Sequence, residues 1–105
     1  MRELKHLLGR VKVVLQENGE QYFASIAEDA LSGSDEDLKS FIVSNELWGG
    51  AGSVADQACG ENRESRRLIE SALIRLGAAQ IQQGITNVRT AMWVDAFRQW
   101  QCDGI

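Results

Sequence analysis

Hydrophobic positions recur every three or four residues along most of this chain, which is the period of an amphipathic helix. The clearest apolar stripe lies within residues 3–17 and consists of Leu4, Leu7, Leu8, Val11, Val14 and Leu15. Asn18-Gly19 predicts the end of this helix, because both residues tolerate the left-handed conformation that closes helices. Residues 20–31 carry the same period, with Tyr22 on the apolar side, and predict a second helix ended by Ser32-Gly33.

Three more helices are predicted further along the chain. Ser34 is an expected N-cap, and the three acidic residues after it occupy the first turn of a third helix, where the helix dipole favours negative charge. Asn62 and Gly84 enclose a long helix over residues 63–83, whose expected apolar face includes Leu68, Gln80 and Ile81. A last helix is predicted over residues 88–101.

The last helix carries a stripe of large side chains. Trp93, Phe97 and Trp100 follow the i, i+4, i+7 spacing, and Met92 lies beside them. Aromatic residues at this spacing are most often part of a core, so we expect the tryptophans to be structural. The alternative is an exposed aromatic patch that contacts a partner or a second copy of the chain, because tryptophan is enriched at binding hot spots.

The least helix-like segment is the central stretch, residues 44–58, with the sequence SNELWGGAGSVADQA. Its glycines predict a sharp elbow, since glycine adopts backbone conformations closed to other residues. Ser53, with Asp56 three positions later, predicts a capping box at the start of a short helix. Trp48 is expected to insert into the core and pin the corner. A ligand-binding or protein-binding elbow is the alternative interpretation.

Length and composition favour one all-α domain over residues 1–105, a compact bundle of five to six helices with a Gly-rich central elbow. The chain has no proline, which permits long unbroken helices. No apolar run approaches the ~20 residues that span a bilayer. Charges are scattered through the first twenty residues, unlike a signal peptide. We therefore expect a cytoplasmic protein that does not bind membranes.

Charge is distributed unevenly along the chain. The net charge is −4, and residues 1–60 hold ten acidic against five basic residues. The candidate partner-binding surface is an acidic band formed by Glu28, Asp29, Asp35, Glu36, Asp37 and Glu46. Such a surface repels nucleic acid and steers a basic protein partner. A solvated acidic face without a partner is the alternative.

No metal or cofactor site is expected from the sequence. His6 is the only histidine, and Cys59 and Cys102 are 43 positions apart, so zinc-ligand spacing is missing. The acidic run also lacks the alternating oxygen ligands of a calcium loop. Without a nucleophile–base pair, we expect a non-catalytic protein.

A small ligand-binding or enzymatic domain is the alternative function, built on polar groups around the central stretch. The candidate residues are Asn45, Glu46, Trp48, Asp56, Gln57, Asn62, Arg89 and Trp93. Glu46 and Asp56 are expected to converge as a carboxylate pair. Asp56 and Arg89 are expected to form a polar link that holds the elbow to the last helix.

The run SNELWGGAGSVADQA, together with NVRTAMWVDAFRQWQ near the C-terminus, resembles a family of small bacterial all-helical proteins classed as a domain of unknown function. The resemblance covers roughly residues 38–101 and implies a bacterial cytoplasmic origin without naming a substrate. Small size, acidity and helical pattern also look like immunity proteins, which neutralise a toxin by covering it with an acidic face. We therefore expect a monomer or homodimer that inhibits a basic partner.

Overall fold

The computed structural model describes residues 1–104, and this part of the chain is helical without strands. The helices are α1 (Arg2–Glu17), α2 (Gln21–Ser32), α3 (Asp35–Ile42), α4 (Asn45–Trp48), α5 (Val54–Gln57), α6 (Arg63–Gln83) and α7 (Thr90–Cys102). Five of these have eight or more residues, whereas α4 and α5 are single turns that form the elbow. The all-α bundle predicted from the sequence is confirmed.

Helix α1 packs against both α2 and α6, and α7 covers another side of α6. The core between them is made of aliphatic side chains that are almost fully shielded from solvent: Leu4, Leu8, Val11, Leu15, Ile69, Leu73 and Leu76. Burying each such side chain stabilises the fold by roughly 1.5–3 kcal/mol. Ala24 and Ala27 give α2 a small-residue face, which suits close packing onto α1.

The helix ends follow the predicted capping chemistry. Ser34 and Asp37 form a reciprocal capping box, with the Ser34 hydroxyl accepting from the Asp37 amide at 3.1 Å and the Asp37 carboxylate accepting from the Ser34 amide at 3.0 Å. The Asn62 side chain accepts from the Ser65 amide at 2.8 Å and starts α6. Gly84 ends this helix with φ at 72°, a left-handed conformation that favours glycine.

Five residues expected on buried faces are exposed instead: Tyr22, Leu68, Ile81, Met92 and Trp100. On α7 the reason is a rotation of the buried stripe, which is centred on Thr90, Val94 and Phe97 and leaves Met92 on the opposite face of the helix. On α6 the stripe is centred on Ile69, Leu73 and Leu76, and Leu68 and Ile81 lie beyond its two edges. The hydrophobic period located both helices, but it placed the buried face of α7 about one residue off and made the buried face of α6 too wide.

Candidate functional site

The central elbow is fastened to the core by the Trp48 side chain, which is fully buried. Its indole N–H donates to the Gln80 side-chain oxygen at 3.0 Å. The Gln80 amide group donates in turn to the Ile42 carbonyl at 2.7 Å and to the Ile85 carbonyl at 2.9 Å. Gln80 therefore connects α3, the elbow and the segment after α6 through one buried side chain. The interpretation of the stretch as a corner pinned by Trp48 has structural support.

Two further side chains fasten α7 and the segment before it to the elbow and to the end of α3. The half-buried Trp93 donates its indole N–H to the backbone carbonyls of Trp48 at 3.0 Å and Gly49 at 3.2 Å. The Asn87 side chain donates to the Val43 carbonyl and to the Asn45 side-chain oxygen, both at 2.9 Å. Sequence reasoning missed Gln80 and Asn87 as connecting residues. Gln80 is a polar residue on the otherwise apolar stripe of α6, and this unusual position was the available sign that it makes a buried hydrogen bond.

The predicted link between Asp56 and Arg89 is wrong. The Asp56 carboxylate accepts from the Gly52 amide at 3.2 Å and from the Gln57 side chain at 3.0 Å, so it closes its own turn. Within residues 1–104, the ion pairs are Lys12–Glu28 and Arg66–Glu70. The capping box predicted at Ser53 is half formed: its hydroxyl accepts from the Asp56 amide at 3.1 Å, but the carboxylate does not return to Ser53.

Three residues of the predicted acidic band line one cavity of about 420 Å³, which we call the acidic groove. Asp29 comes from α2, Asp37 from the first turn of α3, and Glu46 from the single turn of α4 that Ser44 caps. Ile26 and Phe41 provide apolar surface in the same lining. The groove therefore combines negative charge with apolar contact area at the junction of three helices.

The other three acidic residues do not line this groove, which corrects the idea of one continuous band. Glu28 binds Lys12 at 2.9 Å, and this hydrogen bond lowers the pKa of the Glu28 carboxyl. Asp35 lies at a separate cavity near Arg2 and Lys5. Glu36 is exposed on α3. Helical geometry explains the split, because neighbouring positions on a helix point in different directions.

Another cavity, of about 210 Å³, is lined by Trp93, Phe97 and Trp100 together with polar side chains from the elbow and α6. We call it the aromatic cavity. Its polar lining includes Asp56, Arg66 and Glu70. Burial raises the pKa of the Glu70 carboxyl, against the opposing effect of the nearby Arg66.

The predicted convergence of Glu46 and Asp56 is also wrong, since Glu46 lines the acidic groove and Asp56 lines the aromatic cavity. Asn45 is bonded to Asn87, and Gln57 is exposed and bonded to Asp56. The Arg89 guanidinium lies beside Gly50, where a Cβ would stand 3.7 Å from Nη1. The polar groups of residues 44–58 thus serve mainly to hold the elbow together.

The chain matches no protein-family model, no curated protein and no solved structure. No helix in residues 1–104 is long and apolar enough to cross a membrane. Over the same residues, no group of three or more His, Cys, Asp or Glu side chains is placed to hold a metal ion. The acidic groove, the aromatic cavity and the uneven charge distribution are the features of the molecule that bear on its function.

Proposed function

We propose that this protein is a non-catalytic binding protein that holds a basic protein partner in the acidic groove. The supporting observation is the groove lining itself. Within the described part of the chain, Asp29, Asp37 and Glu46 line the groove and no basic residue does. Unlike Glu28, these carboxylates have no lysine or arginine within ion-pair distance among residues 1–104. Their negative charge is therefore available to an incoming cation.

The groove suits an arginine or lysine side chain at its centre. The aliphatic part of such a side chain packs on Phe41 and Ile26, while the charged end reaches the carboxylates. Arginine fits best, because its planar donors bind carboxylates in pairs. The surrounding acidic residues add long-range attraction, which speeds association and weakens with salt.

In this proposal the chain works in the cytoplasm as a monomer or homodimer. It belongs functionally with immunity proteins and antitoxins, which are small inhibitors that cover a basic surface of a toxic protein. Net charge of −4, concentrated in the first 60 residues, supports this role. A partner that is toxic when expressed alone and harmless when expressed with this protein is the expected biological result.

The test is affinity capture from the native lysate at low and high salt, with mass spectrometry of the bound proteins. The groove variant carries Asp29→Asn and Glu46→Gln, which leaves the Asp37 cap intact. The control variant carries Glu17→Gln and Asp95→Asn, which changes net charge equally at exposed positions outside the groove. We expect one basic protein to bind the wild type and the control, and to be lost with the groove variant and at high salt. Equal capture by both variants contradicts the proposal.

A further inference from the structure

The aromatic cavity has no role in the proposed function, since it shares no lining residue with the acidic groove. Its wall is a row of three rings on α7. Phe97 stacks on Trp93 with ring centroids 5.5 Å apart, and Trp100 meets Phe97 edge-on at 5.7 Å. Phe97 is buried, whereas Trp93 is half-buried and Trp100 is 36% exposed. Ring surface therefore remains open to a ligand at the mouth of the cavity.

Two buried polar atoms of the cavity-lining residues have no hydrogen-bond partner among residues 1–104: Arg66 Nε and Glu70 Oε1. Glu70 is only 3% exposed. The closest approach between the two side chains is 3.7 Å, from Arg66 Nε to Glu70 Oε2, which is beyond a hydrogen bond. Buried polar groups are nearly always paired, so a donor and an acceptor left unpaired side by side require an explanation.

The chemistry of these two atoms restricts what can satisfy both. An organic cation would bind Glu70 but would leave Arg66 Nε unpaired and would lie beside the guanidinium charge. A carboxylate would bind Arg66 but would be repelled by Glu70 and by Asp56, which also lines the cavity. A neutral group with a donor next to an acceptor satisfies both atoms without an unpaired charge. The aromatic wall adds a preference for a flat ring, because offset stacking favours planar ligands.

We propose that the aromatic cavity binds a small, neutral, planar heterocycle whose edge presents an N–H donor beside a carbonyl or ring-nitrogen acceptor, the chemistry of a nucleobase. The ring stacks against the tryptophans, and its donor and acceptor bind Glu70 and Arg66 after these two side chains turn toward the cavity, because Arg66 Nε and Glu70 Oε1 are both buried. A cavity of about 210 Å³ is smaller than the usual site for a drug-sized ligand, which limits the ligand to one or two rings.

The test is a titration of the ¹⁵N-labelled protein with uracil, cytosine, adenine and hypoxanthine, followed by NMR. The indole N–H signals of Trp93 and Trp100 are expected to shift with at least one base, while that of Trp48, which is bonded to Gln80, stays in place. The matched ligand control is 1,3-dimethyluracil, which keeps the flat ring and the carbonyls but has no N–H donor. Tetramethylammonium and benzoate represent the cation and anion alternatives.

Protein variants separate this site from non-specific stacking. Arg66→Ala and Glu70→Leu are each expected to weaken binding about tenfold, the effect of losing one hydrogen bond of about 1.4 kcal/mol. Arg63→Ala and Glu64→Gln, exposed on the same helix outside this lining, are expected to leave binding unchanged. If Glu70→Leu does not fold, Arg66→Ala alone decides.

Three results overturn the proposal. The first is no shift with any base at about 10 mM, where even a millimolar affinity is visible. The second is equal or tighter binding of dimethyluracil, tetramethylammonium or benzoate. The third is unchanged affinity in the Arg66→Ala protein. A donor-dependent shift that Arg66→Ala weakens supports it.

Discussion

Replacing Gln80 by leucine is expected to destabilise this protein more than any other single polar-to-apolar change. Leucine has a similar volume, so little packing is lost. The substitution instead removes three hydrogen bonds and leaves the Trp48 indole N–H and the carbonyls of Ile42 and Ile85 without their partner. Each buried group left unpaired costs about 1–3 kcal/mol, which gives roughly 3–9 kcal/mol for the three groups.

That loss is a large part of the 5–15 kcal/mol that typically stabilises a domain, so the variant should be close to unfolded near 37 °C. The assay is urea denaturation followed by circular dichroism, with the unfolding free energy extrapolated to zero urea. Gln82→Leu is the matched control, because it makes the same chemical change at an exposed position of α6 and should stay within about 0.5 kcal/mol of the wild type. A Gln80→Leu protein within about 1 kcal/mol of the wild type would refute the role given to Gln80.

Further predictions concern packing, the elbow and a buried acid. Gly9→Ala should stabilise the protein by about 0.5–1 kcal/mol, because a Cβ at this position meets nothing within 4 Å. Gly77→Ala should destabilise it by about 1–3 kcal/mol, because the added Cβ would overlap Val94 and press on Trp48. Thermal unfolding of the two variants and the wild type checks both predictions. Asp56→Ala should lower the free energy of unfolding by only about 1 kcal/mol, because it removes a hydrogen bond that closes a turn. A loss of about 3–5 kcal/mol, typical of a broken buried ion pair, would instead show that Asp56 has a charged partner. Burial raises the pKa of Glu70, so the folded protein binds the carboxyl proton more tightly than the unfolded chain does. The stability that this proton contributes is lost as pH rises from the ordinary pKa of 4.5 through the raised pKa of the folded protein. Glu70→Gln should therefore stabilise the protein by about 1 kcal/mol at neutral pH and have no effect below that ordinary value, as measured by urea denaturation across pH; a gain that is equal at both pH values would contradict this.

Local rules predicted most of the secondary structure because the signals lie within a few residues of one another. Ser34 and Asp37 cap α3 through a contact over three positions, and Gly84 ends α6 through its own backbone conformation. The hydrophobic period likewise located the long helices. What it could not supply was the rotation of α7 and the width of the buried stripe on α6, which is why Met92 and Leu68 were wrongly placed.

The candidate sites were harder to predict because they depend on contacts between distant residues. Asp29, Asp37 and Glu46 share a groove only because α2, α3 and α4 turn back on one another, whereas Asp35, two positions from Asp37, faces another cavity. The Asp56–Arg89 prediction is wrong because the Asp56 carboxylate instead accepts a hydrogen bond from the Gly52 amide, four residues away. Trp48 was correctly expected in the core, but its partner Gln80 is 32 positions away, and a polar residue on an apolar stripe does not reveal which distant group it binds.

We propose that the acidic groove, and not negative charge in general, binds the basic protein partner. The most direct test measures the dissociation constant of the captured partner with the wild type, the Asp29→Asn/Glu46→Gln groove variant and the Glu17→Gln/Asp95→Asn control. The groove variant should weaken binding about tenfold or more, equivalent to at least 1.4 kcal/mol, and the control should leave it unchanged. Equal affinities for the two variants, or a larger loss with the control, would contradict it.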